Sequence, residues 1–271
     1  LIEIRAATVA FGAQRNKTLK LALNAVSLAL PQAPSITAIV GESGSGKTTM
    51  TRLMLGLLKP TQGTVLYEGH DLQHMDRKAF AQYRREVQAV FQDPYSVYNP
   101  FYKVDRSLLL PLQRFGLVKT REEAYEQIHQ SLQTVGLRPA DTLGRYPHQL
   151  SGGQRQRIMI ARALSLKARV IVADEPVSMV DASLRATILE SLYRLKTEQQ
   201  VSLLYVTHDL TTAYQIADRI VVMYNGQIVE EGEPESVIHA PKHAYTRALV
   251  AAVPPPNPDI DWGLEAKALP R

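Results

Sequence analysis

The stretch from Gly41 to Thr49, GESGSGKTT, satisfies every fixed position of the phosphate-binding pattern G-x-x-x-x-G-K-[ST], and it limits the fold more tightly than any other part of the chain. Glycines at 41, 44 and 46, in a loop completed by Glu42, Ser43 and Ser45, open backbone dihedrals closed to residues with a Cβ, so that successive N–H groups can turn inward around an anionic oxygen. Lys47 supplies a mobile charge for the β- and γ-phosphates, and Thr48, followed by Thr49, supplies a hydroxyl of the kind that coordinates Mg²⁺. Such a loop needs a strand before it and a helix after it. Residues 36 to 40, ITAIV, read as a buried parallel strand, and residues 47 to 58 carry apolar side chains at helical spacing until Lys59-Pro60. That helix aims its positive dipole end at the phosphate. A merely flexible glycine turn does not require these flanks.

A chain of 271 residues with 45% hydrophobic and 21% charged residues has ample material for a core. It contains no cysteine, which excludes disulfides and thiolate metal sites and suits a reducing compartment. No run of about 18 apolar residues is present, so the chain is not expected to span a bilayer itself. The net charge of +5 is spread without a block of consecutive basic residues, as on a solvated basic surface. The first residue is Leu1, the expected mark of a trimmed or processed start.

Residues 1 to 11 and 19 to 30 alternate in part and predict two strands ahead of the loop. Phe11, at the end of the first, is either a core residue or a ring for stacking on an adenine. Thr64 to Tyr67 predicts a strand, followed by a turn at Glu68-Gly69. His70 and His74 have the spacing of a helical metal pair, but Gly69 and Asp71 argue for a turn instead. Val87 to Phe91 predicts a strand ended by Gln92-Asp93-Pro94, which leaves Gln92 at the strand's end. Residues 103 to 136 read as mostly helical, broken at Pro111 and Gly116.

Leu150-Ser151-Gly152-Gly153-Gln154 opens a further helix, with Ser151 as its cap and the glycines leaving its N-terminus open to an anion. Val170 to Ala173 delivers Asp174 and Glu175 to the carboxyl end of a strand, the end that faces ligands in open α/β sheets. Successive strand residues point to opposite sides, so one carboxylate is placed to meet a metal shell and the other to meet water. Residues 182 to 198 predict a helix, and Ser202 to Val206 a strand that ends in Thr207-His208-Asp209, with His208 on the ligand edge. Asn225-Gly226 between two apolar runs predicts a hairpin. Residues 233 to 239 and 243 to 252 read as helical, and Pro254-Pro255-Pro256 starts a tail too poor in apolar residues for a core of its own.

GESGSGKTT, FQDP, LSGGQ, VIVADEP and VTHD occur in the order found in the nucleotide-binding subunits of ABC transporters, which this chain resembles over nearly its whole length. FQDPYSVYNP, HDLTTAYQIADRIVVMYNGQIVEEG and HAYTRALVAAVPPP look like the dipeptide, oligopeptide and nickel importer branch. The chain departs from the family pattern at Ser178-Met179-Val180-Asp181, where S-A-L-D is usual, and it lacks the cysteine motif of many peptide-importer ATPases. The resemblance implies an α/β fold: a RecA-like P-loop core with an antiparallel β subdomain and an inserted helical subdomain over about residues 93–165. The ATPase domain then covers residues 1–253 and a tail covers 254–271.

It also implies the cofactors ATP and Mg²⁺ and a set of roles. Lys47 and its loop bind phosphate, and Phe11 stacks on adenine. Thr48, Gln92 and Asp174 organise Mg²⁺. Glu175 polarises the attacking water, with His208 steadying the γ-phosphate. Ser151, Gly152, Gly153 and Gln154 face the nucleotide of a second ATPase subunit, identical or different, and Asp181 organises that interface. The remaining implied partners are two transmembrane permease subunits, which place a short helix in a groove near Gln92 to Tyr102, and through them an extracytoplasmic solute-binding protein. The implied location is peripheral, on the cytoplasmic face of the cell membrane. The expected solute is a peptide, with nickel or an oligosaccharide as alternatives in the same branch. A soluble cassette acting on nucleic acid is the reading from another class; it would be expected to carry coiled-coil, zinc or tandem insertions, which the sequence does not show.

Overall fold

A computed structural model of the chain describes residues 1–12, 20–94, 96–178, 180 and 182–253, so the expected tail at 254–271 lies outside the described residues. In chain order the elements are β1 (Ile2–Phe11), β2 (Lys20–Ala29), β3 (Ile36–Val40), α1 (Lys47–Met54), β4 (Gln62–Tyr67), β5 (His70–Asp71), α2 (Arg77–Glu86), β6 (Val87–Val90), α3 (Asp105–Arg114), α4 (Arg121–Thr134) and α5 (Pro139–Thr142). They continue with α6 (Gly152–Ser165), β7 (Val170–Asp174), α7 (Ala182–Gln199), β8 (Ser202–Val206), α8 (Leu210–Ile216), β9 (Arg219–Tyr224), β10 (Gln227–Gly232), α9 (Pro234–His239) and α10 (Ala244–Ala251).

Two sheets result. The larger has the order β10-β9-β3-β8-β7-β6 and is parallel except for β10, the antiparallel partner of β9. Its central strands are buried along their whole length, which is why ITAIV and SLLYV are unbroken apolar or small runs. Alternation still sorts their side chains. Ile36, Ala38 and Val40 join one core cluster with the helices α3, α4 and α6, while Ile39 joins a second with β1, β2, β4 and α1. The smaller sheet, β2-β1-β4-β5, is antiparallel and covers α1 from the second side.

Alternation in β1 and β2 is partial for a physical reason. Ala6 and Ala25 have φ of +44° and +50°, and the register shifts on either side of Ala7. The interrupted ladder is repaired by side chains: Ala6 N–H donates to Ser27 Oγ at 2.9 Å, and Ala25 N–H donates to Thr8 Oγ1 at 3.0 Å.

Helix α2 and shifts of one or two residues at several strand ends go beyond the sequence reading, and two further departures have a local physical cause. The helix after the glycine loop stops at Met54, four residues before the expected end, because Gly56 takes φ +64° and Leu57 N–H closes back on Arg52 O at 2.9 Å. Conversely, Pro111 does not break α3. Leu108 and Leu112 are both fully buried on its inner face, and their packing carries the helix past the lost amide. Gly116, with φ +64°, ends the segment as expected. The hairpin forms at Asn225 and Gly226, both at positive φ, +48° and +76°, as a primed two-residue turn requires.

Candidate functional site

The parallel strands deliver four chain segments to one edge of the sheet: the glycine loop after β3, Gln92 just beyond β6, Asp174 and Glu175 at the end of β7, and His208 beyond β8. A cleft of about 300 Å³ opens there, lined by Phe11, Lys20, Leu21, Ala22, Ser43, Gly44, Gly46, Lys47, Thr48, Thr49 and Glu175. Phe11 forms part of its wall and is 48% exposed. Lys20 to Ala22, at the start of β2, line the same wall; sequence reasoning missed them, and their pairing with Phe11 is the signal that could have found them.

Gly41, Glu42 and Ser45 do not line the cleft; they form the back of the loop. A Cβ on Gly41 would overlap the Met223 carbonyl, and Ser45 O accepts from Gly226 N–H at 2.9 Å. Lys47 is nearly buried, and its ammonium donates to Gly41 O at 2.6 Å and Glu42 O at 2.8 Å. Burial lowers its pKa, while Glu175, Asp174 and Glu42 pull it the other way. Thr48 presents an exposed side chain beside it.

Gln92, Glu175 and His208 meet. Glu175 Oε2 accepts from Gln92 Nε2 at 3.0 Å, and its Oε1 lies 3.1 Å from His208 Nδ1. Glu175 has φ +48° and so turns out of the strand, which separates it from Asp174 more sharply than strand alternation alone. Its N–H still donates to Val206 O at 2.8 Å, holding the turn on β8. Asp174 remains in β7, and its pKa is raised by burial and then by the charge of Glu175, against the opposing pull of Lys47 and Arg52.

Ser151 caps α6: its hydroxyl accepts from Gln154 N–H at 3.2 Å, and Gln154 Oε1 accepts from Ser151 N–H at 2.8 Å. Gly153 is buried against α7, where a Cβ would stand 2.8 Å from Leu184 Cγ. None of residues 151–154 lines the cleft around Lys47. Asp181 lies outside the described residues.

Helix α6 is nonetheless tied to the cleft from behind. Gln156, 1% exposed, donates to Phe91 O at 3.2 Å, one residue before Gln92, and Arg162 donates to Ala89 O at 3.4 Å. Tyr98 O–H donates to Arg155 O at 2.9 Å. Sequence reading passed over these three side chains, since nothing in their spacing shows that α6 runs beneath β6.

Comparison with known proteins decides the family. The ABC transporter family matches residues 23–178, and the family described as the oligopeptide/dipeptide transporter C-terminal region matches residues 229–270. The chain belongs to the ABC transporter family. It is 42% identical over 248 residues to the oligopeptide transport ATP-binding protein OppF of Escherichia coli, covering 92% of this chain and 73% of that protein. It is 39% identical over 261 residues to the putative oligopeptide transport ATP-binding protein YkfD of Bacillus subtilis, covering 96% and 78%. Among solved structures, the dimeric post-hydrolysis state of the ATP-binding cassette MJ0796 bound to ADP and Pi superimposes with a TM-score of 0.76 at 28% identity, over 86% of this chain and 99% of that one. This ABC cassette therefore binds and hydrolyses ATP, and its α/β fold is that of the family's nucleotide-binding domain. Among the described residues no helix is long and apolar enough to cross a membrane.

Proposed function

We propose that this cassette drives peptide uptake, hydrolysing ATP between its own glycine loop and the serine-capped helix of a second cassette that corresponds to α6. The observation that carries the reading is the meeting of Gln92, Glu175 and His208 on one carboxylate beside the loop that holds Lys47. Glu175 takes the role of general base toward an attacking water. Gln92 and His208 fix its two oxygens, so that the carboxylate has little freedom to turn away. Lys47, oriented by Gly41 O and Glu42 O, turns its third ammonium N–H to the phosphates, and the loop's remaining N–H groups together with the α1 N-terminus hold the rest of the charge.

Asp174, Thr48 and Gln92 suit Mg²⁺. A buried carboxylate disfavoured in its ionised form by a neighbouring carboxylate is relieved by a divalent cation, and hydroxyl and amide oxygens complete a hard-oxygen set. Held by these residues, Mg²⁺ would supply positive charge against the phosphate oxygens.

Because Ser151 to Gln154 stand outside the cleft of their own chain, they are free to cap the nucleotide of another. The partner cassette supplies the same groups in return. A hollow of about 560 Å³ lined by Phe101, Tyr102, Arg106, Leu109 and Tyr125 lies on the helical subdomain, with Phe101 84% exposed. We take it as the seat for a short helix of a permease subunit; on this reading the cassette works at the cytoplasmic face of the membrane and meets the solute-binding protein only through the two permeases. The names of the relatives and the match at residues 229–270 support a peptide as the solute.

The test is uptake of a labelled tripeptide by cells lacking this chain. Uptake is expected to fall and to return with the parent sequence but not with Glu175→Gln; unchanged uptake in the deletion strain contradicts peptide import.

A further inference from the structure

The peptide unit joining Gly41 to Glu42 is gripped at both ends. Its carbonyl accepts from Lys47 Nζ at 2.6 Å, and its N–H donates to the Tyr245 hydroxyl at 2.9 Å. Tyr245 is the second residue of α10, 203 positions further along the chain. Its ring stacks on Tyr224 of β9 with centroids 4.2 Å apart and planes 26° from parallel. Tyr224 directly precedes the Asn225-Gly226 turn, whose Gly226 N–H holds Ser45 O.

The start of α10 is itself fixed. Glu230 accepts from the N–H groups of Lys242 and His243 at 2.8 and 2.9 Å, and His243 Nδ1 accepts from Tyr245 N–H at 3.2 Å. The hydroxyl that meets the glycine loop is thus held by a hydrogen-bonded helix start and a stacked ring, and no loop motion is needed to bring it there.

We propose that Tyr245 is a positioning residue for ATP binding, its hydroxyl holding the Gly41–Glu42 peptide plane with the carbonyl turned toward Lys47. The proposal rests on the glycine loop being the ATP site. An N–H bonded at one end of a peptide unit strengthens the acceptor at the other, so the two hydrogen bonds support one another. Losing the hydroxyl frees the plane to rotate and withdraws one of the two carbonyls that orient the Lys47 ammonium at the mouth of the loop. Tyr245, with Glu230, Lys242 and His243 that fix its helix start, belongs to residues 229–270, the segment matched as the oligopeptide/dipeptide C-terminal region, which on this proposal forms part of the nucleotide site.

Tyr245→Phe removes the hydroxyl and keeps the ring and its stack. Affinity of the 271-residue chain for a fluorescent ATP analogue, displaced by ATP, is measured beside the thermal midpoint without nucleotide. The variant is expected to raise the Kd about 3- to 10-fold, the range of one lost hydrogen bond, with a midpoint no more than about 6 °C below the parent. In the assembled transporter the KM for ATP rises by a similar factor, and kcat at saturating ATP changes by less than about twofold. An unchanged Kd, or a midpoint that falls by more than about 6 °C, overturns the proposal. Failure of the parent chain itself to take up the analogue removes the ATP site on which the proposal rests, an outcome told apart by the parent measurement alone.

Discussion

Gly44 and Gly46 sit two residues apart in the glycine loop, both at positive φ, +84° and +108°, yet an added methyl group would meet different surroundings at each. At Gly44 no atom lies within 4 Å of where a Cβ would stand, so Gly44→Ala costs only the backbone penalty, about 1–2 kcal/mol. At Gly46 the Cβ would stand 2.6 Å from the Ala22 carbonyl oxygen and 2.9 Å from Leu23 Cδ2. Ala22 O is backbone of β2, which cannot withdraw without dragging the antiparallel sheet from α1. Overpacking therefore adds about 1–3 kcal/mol to the same backbone penalty. At about 2–4 °C per kcal/mol for a chain of this order of size, Gly46→Ala is expected to melt about 2–12 °C below Gly44→Ala in nucleotide-free protein. Dye-monitored thermal unfolding of the two variants and the parent reads this directly. Equal midpoints for the two variants would refute the reasoning, since they would mean that β2 does not brace the loop.

Glu175→Gln is expected to keep ATP binding and to lower turnover about 10²- to 10⁴-fold, the usual contribution of a general base; near-normal phosphate release by the variant would remove Glu175 from the mechanism. Asp174→Asn should raise the thermal midpoint of metal-free protein at neutral pH while abolishing hydrolysis. The folded-state pKa of Asp174 is raised, so its carboxylate costs stability above that pKa, and the cost vanishes as pH falls below the unfolded value of about 4. The two midpoints should converge in acid, and a constant gap across pH would contradict the assignment. Gln156→Leu strips a buried donor from Phe91 O and is expected to cost about 1–3 kcal/mol of stability together with a fall in kcat measured by phosphate release. Unaltered kcat would show that the strand end before Gln92 needs no support from α6.

The parts of the site that are local in sequence were legible. The glycine loop, the cap at Ser151, and the carboxylates ending β7 each announce themselves within a few residues, because backbone freedom, helix capping and strand termination act at short range. Parallel pairing could be anticipated from the unbroken apolar runs, and with it the gathering of Gln92, Glu175 and His208 on one edge. What escaped depends on long-range packing. Tyr245 reaches Glu42 across 203 positions, and Gln156 meets Phe91 across 65, with no periodicity to mark either. Pro111 misled because packing outweighs local propensity, and Gly56 was passed over because Lys59-Pro60 gave the louder stop signal.

The most direct test is the mass of Glu175→Gln, mixed with its partner cassette, by sedimentation with and without Mg-ATP. ATP bridging the loop of one cassette and the capped helix of the other should drive the chains into a stable pair, and Ser151→Arg, which crowds that helix start, should prevent it. A mass that ignores ATP, or a pair that forms equally well with Ser151→Arg, would contradict the shared nucleotide site.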